Sequence, residues 1–207
     1  MPAHRMHMTT LELAHSRTPD EIAGLVSRIR PTIPELTGFT FRNRSRLVKP
    51  LISYDLSAIA VSFLPAAGEA VVSPPPVPPH SADIAHPGLV DGTTADTDGY
   101  TYHHLRRDVF DLARSTGVDV GSRYVVPSAH ITLGRYLTQG DHATAQSREA
   151  WIKAIEDINE WLENEVWDRA DGSFIGEWIV GQERGLDARS GPLWYGGGRT
   201  IMLGEGF

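Results

Sequence analysis

AHITLGRY at residues 129–136 and MHMTTLEL at residues 6–13 are the two stretches on which the reading of this chain turns. Each is an apolar, β-compatible run carrying a His-x-Thr triplet: His130 with Thr132, and His7 with Thr9. On a strand, side chains two residues apart share a face. His7 and Thr9 are therefore expected to project together while Met6 and Met8 point away, and His130 and Thr132 to do the same against Ile131 and Leu133. Continued alternation carries Gly134 and Tyr136 onto the polar face, with Tyr136 at the rim of whatever the histidines address. A third triplet, His142-Ala143-Thr144, lies in the polar run TQGDHATAQS with no strand around it and is set aside.

Outward from these stretches, helix and strand patterns alternate. The turn HSRT leads into Thr18, Pro19 and Glu21, which supply an N-cap, a first-turn proline and a capping-box acid. A helix should follow, with Ile22, Leu25, Val26 and Ile29 as its apolar stripe and Pro31 as its end. Residues 47–54 and 57–64 read as strands. From Thr101 a second helix carries Leu105, Val109, Leu112 and Ala113 on one face and stops at Gly117. Residues 122–137 read as a strand pair or one bent strand, with Pro127 at an edge or bulge. The strongest helix spans about residues 147–166, with Trp151, Ile155, Ile158 and Leu162 on its stripe. The closing pieces EWIVGQ and RTIMLG flank the Gly-rich GPLWYGGG and read as a β-hairpin. This order is that of an α+β chain on antiparallel or mixed sheet. Residues 65–99 are rich in proline, glycine and small polar residues, show neither period and read as a long flexible loop. His80 and His86 fall within it and receive no role.

Composition narrows the functions available. The 207 residues carry a formal net charge of −7 and no cysteine. An acidic chain is ill suited to neutralising many phosphates along duplex DNA, but a small phosphate ester is within its reach. Without cysteine there are no disulfides, no thiolate catalysis and no Cys-based zinc site. No run of eighteen apolar residues occurs and no apolar leader follows the first basic residues. The expectation is a monomer in the cytoplasm or nucleus, not secreted and without membrane association. The basic stretch Arg28, Arg30, Arg42, Arg44, Arg46 and Lys49 reads as a solvated loop and strand edge rather than as an anion-guiding patch.

Two histidines across one cleft suit in-line cleavage of a phosphodiester without a metal. A neutral imidazole takes a proton from the attacking water while an imidazolium delivers one to the leaving oxygen, and histidine reaches both states near neutral pH. The threonine hydroxyls can donate to the non-bridging oxygens as charge builds there. Neither strand adds the carboxylate that a metal site would need, so no metal and no cofactor are expected. Either histidine can be base or acid on this reading. Among the aromatics, Tyr136, Trp194, Tyr195 and Phe41 are candidates for stacking on a nucleobase, with Trp194 and Tyr195 in the Gly-rich turn the best of them, and Arg199 beside that turn is a candidate phosphate contact. His15, His103 and His104 read as turn or loop-edge residues.

The triplet pair, HMTTL from His7 and HITL from His130, resembles the two-histidine (2H) phosphoesterase superfamily, which includes 2′-5′ RNA ligase-like proteins and cyclic nucleotide phosphodiesterases. The surrounding sequence most resembles a fungal branch of it. The resemblance implies one domain over residues 1–207 made of two pseudo-symmetric lobes, each giving one motif strand to a central cleft, with a first lobe truncated at its N-terminus because the chain starts six residues before His7. It implies catalytic roles for His7 and His130, phosphate-binding roles for Thr9 and Thr132, and as substrate a small cyclic phosphate ester, nucleotide or RNA terminus. The rival expectation is a module of the same fold that binds nucleotides or RNA ends without turnover.

Overall fold

The computed structural model describes residues 2–72, 98–121, 129–169, 171, 174–191 and 197–207. In chain order its elements are α1 (Pro19–Ile29), α2 (Ile33–Thr37), α3 (Phe39–Arg42), β1 (Arg46–Tyr54), β2 (Ala58–Pro65), α4 (Tyr102–Ser115), β3 (Ala129–Arg135), α5 (Ala145–Glu165), β4 (Glu177–Ile179), β5 (Arg184–Ser190) and β6 (Arg199–Glu205). The chain is thus α+β, and every strand pairing is antiparallel. A curled four-stranded sheet has the order β3-β2-β1-β4, and β5 and β6 form a separate pair.

Several elements follow from local chemistry. Thr18 and Glu21 close a reciprocal capping box at the start of α1, with the Thr18 amide 2.7 Å from the Glu21 carboxylate. That bond holds the Glu21 carboxyl below its usual range. The tight connection from β1 to β2 is organised by Asp55, whose Oδ1 accepts from the amides of Ser57 and Ala58 and from the Ser57 hydroxyl. Gly117 ends α4 in the left-handed region, at φ 75°, where only glycine sits without strain.

Two apolar clusters lie between the sheets and the helices. One gathers Leu47, Tyr102, Leu105, Val109, Ala129 and Val180 under α4, with Met8, Leu11, Phe63 and Trp178 packed against it. The other joins Ile29 and Ile33 to Ala113 and Val118, and reaches Ala188 and Ile201 on the second sheet. The β5–β6 pair lies flush on α2 because Gly185 and Gly204 both face the Thr37 carbonyl, where a Cβ would collide with it.

Four expectations are corrected. EWI does not pair with RTIMLG: β4 pairs with β1, Leu47 opposite Trp178, and the partner of β6 is RGLDARS, a run too polar to read as a strand. Ile158 is 45% exposed, and the inner face of α5 carries Asn159 in its stead. The Asn159 amide accepts from the Ile52 N–H at 2.7 Å and donates to the Ile52 carbonyl at 3.0 Å, so it completes the edge of β1 beyond the reach of β4. His104 is no loop-edge residue; its Nδ1 accepts from the Thr101 amide at 3.1 Å in a capping box at the start of α4. The basic stretch is dispersed: Arg46 is buried, Arg44 lies over the Phe207 ring and Arg28 donates to the Gly117 carbonyl.

Arg46 is 7% exposed, and each of its five N–H groups has an acceptor. Asp98 takes two, at 3.1 and 2.6 Å, Glu177 one at 2.8 Å, and the carbonyls of Glu69 and Ala70 the others. Removing the cation leaves two carboxylates in a buried site without their counter-charge. Arg46→Met should therefore lower the unfolding free energy by about 3–5 kcal/mol, measured by urea denaturation. A loss within the error of the fit would show that the network contributes nothing net.

Candidate active site

His130 and Thr132 stand on β3 with the alternation expected of them. Across the β2 ladder His130 is opposite Ser62, Thr132 opposite Ala60, Ile131 opposite Val61 and Ala129 opposite Phe63. Ala129 and Phe63 belong to the cluster beneath α4. Directly opposed residues share a face, so His130, Thr132 and Ser62 occupy the other one. Ser62 there shares a 2.6 Å hydrogen bond with the Ser53 hydroxyl, which extends the row of hydroxyls onto β1.

The first triplet reaches the same place by a different route. Among the described residues, 6–13 form no ladder strand and Met8 makes the one antiparallel bridge, to Ile131 on the outer edge of β3. An antiparallel Met8–Ile131 pair sets His7 opposite Thr132 and Thr9 opposite His130. Met8 packs into the α4 cluster. By strand alternation its neighbours His7 and Thr9 would fall on the face of His130 and Thr132. The two histidines are then diagonal neighbours, for which the backbone spacing is about 7–8 Å.

Side chains of α4 replace the missing ladder. Tyr102, 1% exposed, donates to the Thr9 carbonyl at 3.1 Å, and the Arg106 Nε–H donates to the Thr10 carbonyl at the same distance. Further along, the Gly121 amide donates to Leu13. Just before the triplet a single 3-10 turn, Ala3–Arg5, brings the Arg5 carbonyl 3.0 Å from His7 Nδ1. A carbonyl only accepts, so Nδ1 carries the proton and Nε2 is the nitrogen left for chemistry. His7 is exposed, whereas Thr9, His130 and Thr132 are half-buried.

The remaining candidates are placed less centrally. Between Ile59 and Ala60 the β2–β3 register shifts and leaves Leu133 as the extra residue. Past that bulge the alternation no longer brings Gly134 and Tyr136 onto the face of His130. Gly134 turns toward Ile59, and Tyr136 packs edge-on against His142 and Trp151, with ring centroids 5.7 and 6.2 Å away and its hydroxyl buried. Arg199 opens β6 opposite Ser190, on the two-stranded sheet rather than the one bearing the histidines. Phe41 meets Phe207 edge to face. Trp194, Tyr195, His80 and His86 lie outside the described residues. The third triplet is structural: Thr144 is the N-cap of α5 and accepts from the Ser147 amide at 3.0 Å. Tyr102, Arg106 and Ser62 had no signal in the sequence, since their part depends on register and on contacts across about ninety residues or across a ladder.

If α4 is what holds the first triplet, Tyr102→Phe should cost about 0.5–1.5 kcal/mol and accelerate amide exchange at residues 8–11 more than in β1. Equal acceleration in both segments, followed by mass spectrometry, would mean that the phenol serves the core and not the triplet.

No family model, curated protein or solved structure matches this chain.

Proposed function

We propose that the chain is a metal-independent phosphodiesterase acting on a cyclic phosphodiester, of the kind formed at a nucleoside 2′,3′-cyclic phosphate or an RNA end. The observation that carries this reading is the antiparallel bridge between Met8 and Ile131, which sets the two His-x-Thr triplets side by side in opposite directions. The pair has a local two-fold relation: each threonine lies across from the other triplet's histidine. A phosphate centred on that axis meets an imidazole from either side and a hydroxyl beside each.

In the reaction, water attacks phosphorus in line with the P–O bond of the ring. One imidazole takes the water's proton as the new P–O bond forms. The other, protonated, gives its proton to the ribose oxygen as the old bond breaks, and a phosphomonoester with a free hydroxyl results. Thr9 and Thr132 donate to the non-bridging oxygens, whose charge rises toward the transition state. His7 works through Nε2, because Nδ1 is committed to the Arg5 carbonyl. On this reading the four-stranded sheet is one lobe of a two-histidine phosphoesterase, and α1 to α3 with β5 and β6 form the other.

Hydrolysis of 2′,3′-cyclic nucleotides in the presence of EDTA tests the proposal. His7→Ala and His130→Ala should each lower kcat by about 10²–10⁴-fold. The double variant should lose little more than the worse single one, because the two groups act as a unit. Turnover that survives both substitutions sinks the mechanism. Binding of cyclic nucleotide without wild-type turnover would favour the non-catalytic module instead.

A further inference from the structure

The outer flank of α5 carries the largest exposed aromatic pair among the described residues that are in mutual contact. Trp161 and Phe174 meet edge to face at 5.9 Å, and they remain 45% and 61% exposed. Ile158, one helical turn before Trp161, and Ile175, next to Phe174, are each 45% exposed. The inner face of α5 is supplied by Ile155, Leu162 and Asn159, so these four side chains are not needed to hold the helix on the sheet. Trp161 and Phe174 in contact, with Ile158 and Ile175 beside them in sequence, form an exposed apolar group of the kind that another molecule covers.

Charge identifies the occupant. Residues 148–171 contain eight carboxylates against three cations, so this segment holds five of the seven net negative charges of the chain. The three cations are already engaged. Arg148 donates to the carbonyls of His142 and Ala143, Lys153 is 2.8 Å from Asp157, and Arg169 lies between Glu165 and Asp171. Nucleic acid and anionic lipid are repelled by such a surface. A second copy docking by the same face would set acid against acid. We propose that the Ile158–Trp161–Phe174–Ile175 surface docks a cationic amphipathic segment of a protein partner, whose apolar residues cover Trp161 and Phe174 while its lysines or arginines meet the surrounding carboxylates.

The test uses the full chain, ¹⁵N-labelled and titrated with a Lys/Leu amphipathic helical peptide. Saturable shifts should be confined to residues 154–165 and 174–175. They should weaken with added salt, and affinity should fall by about tenfold or more in the Ile158→Ser/Phe174→Ser variant. Both positions are exposed, so the variant should keep its thermal transition. If unfolding is nonetheless seen, Glu160→Lys/Glu163→Lys supplies the second arm, with the same direction expected. The proposal is overturned if a scrambled peptide of equal charge binds as well, if shifts fall elsewhere or are absent, or if neither variant changes affinity. Sedimentation showing a dimer that Phe174→Ser abolishes, or recruitment to phosphatidylserine vesicles through the same residues, would likewise replace it by self-association or membrane docking.

Discussion

The fold depends on one buried guanidinium. Arg46 starts β1, and its five donors tie together Glu69 and Ala70 of the segment after β2, Asp98 four residues ahead of α4, and the first residue of β4. Its side chain and those of Asp98 and Glu177 are 6%, 6% and 1% exposed. Burying three charges costs several kcal/mol per ion unless every donor is met. Here each donor is met, and Asp98 and Glu177 hold the Arg46 pKa above its ordinary value despite the burial. Lysine could not substitute, because only a planar fork binds Asp98 through two parallel N–H groups while reaching Glu177 and two carbonyls. The consequence extends to the candidate site. Asp98 anchors the chain four residues ahead of α4, and α4 supplies Tyr102 and Arg106, which bond the carbonyls of residues 9 and 10.

Among the described residues, side chains finish much of both long edges of the four-stranded sheet, beyond the three-residue pairing of β4 with β1. On the β1 side Asn159 takes the Ile52 amide and carbonyl, and the Trp167 indole donates to the Pro50 carbonyl at 2.8 Å. On the β3 side the first triplet contributes one bridge and relies on α4 for the rest. Such arrangements blunt the edge that would otherwise template another strand. They also make the two triplets unequal. His130 is set in a ladder, whereas the His7 segment opens at lower free energy because few ladder bonds must break. On the proposed function, that asymmetry would let one half adjust around a phosphate while the other stays fixed.

What the sequence made legible was local. The capping box of Thr18 and Glu21, the stop at Gly117, the β1–β2 pair and the length of α5 are each encoded within a few residues, and each is found. The losses share a cause: they depend on partners distant in the chain. Asn159 shows no role in the sequence; it acquires one only where the open edge of β1 lies beside it. RGLDARS lacks an apolar period because glycine is demanded by the approach to Thr37. Tyr136 leaves the histidine face through a one-residue bulge, which a strict two-residue period cannot foresee. The juxtaposition of the triplets was expected from resemblance, but their antiparallel register and the role of α4 in holding it are matters of geometry alone.

An acidic protein that binds a phosphate must keep most of its charge away from it. The sheet order provides that separation. The triplets sit at the β3 edge, and the acidic C-terminal half of α5 flanks the β1 edge, with β2 between. Two strand spacings amount to about 10 Å. That is about the Debye length at 0.1 M salt, so salt weakens repulsion between a phosphate at the triplets and the C-terminal half of α5. On the proposed function, the acidic half of α5 thus stands apart from the histidines rather than beside them.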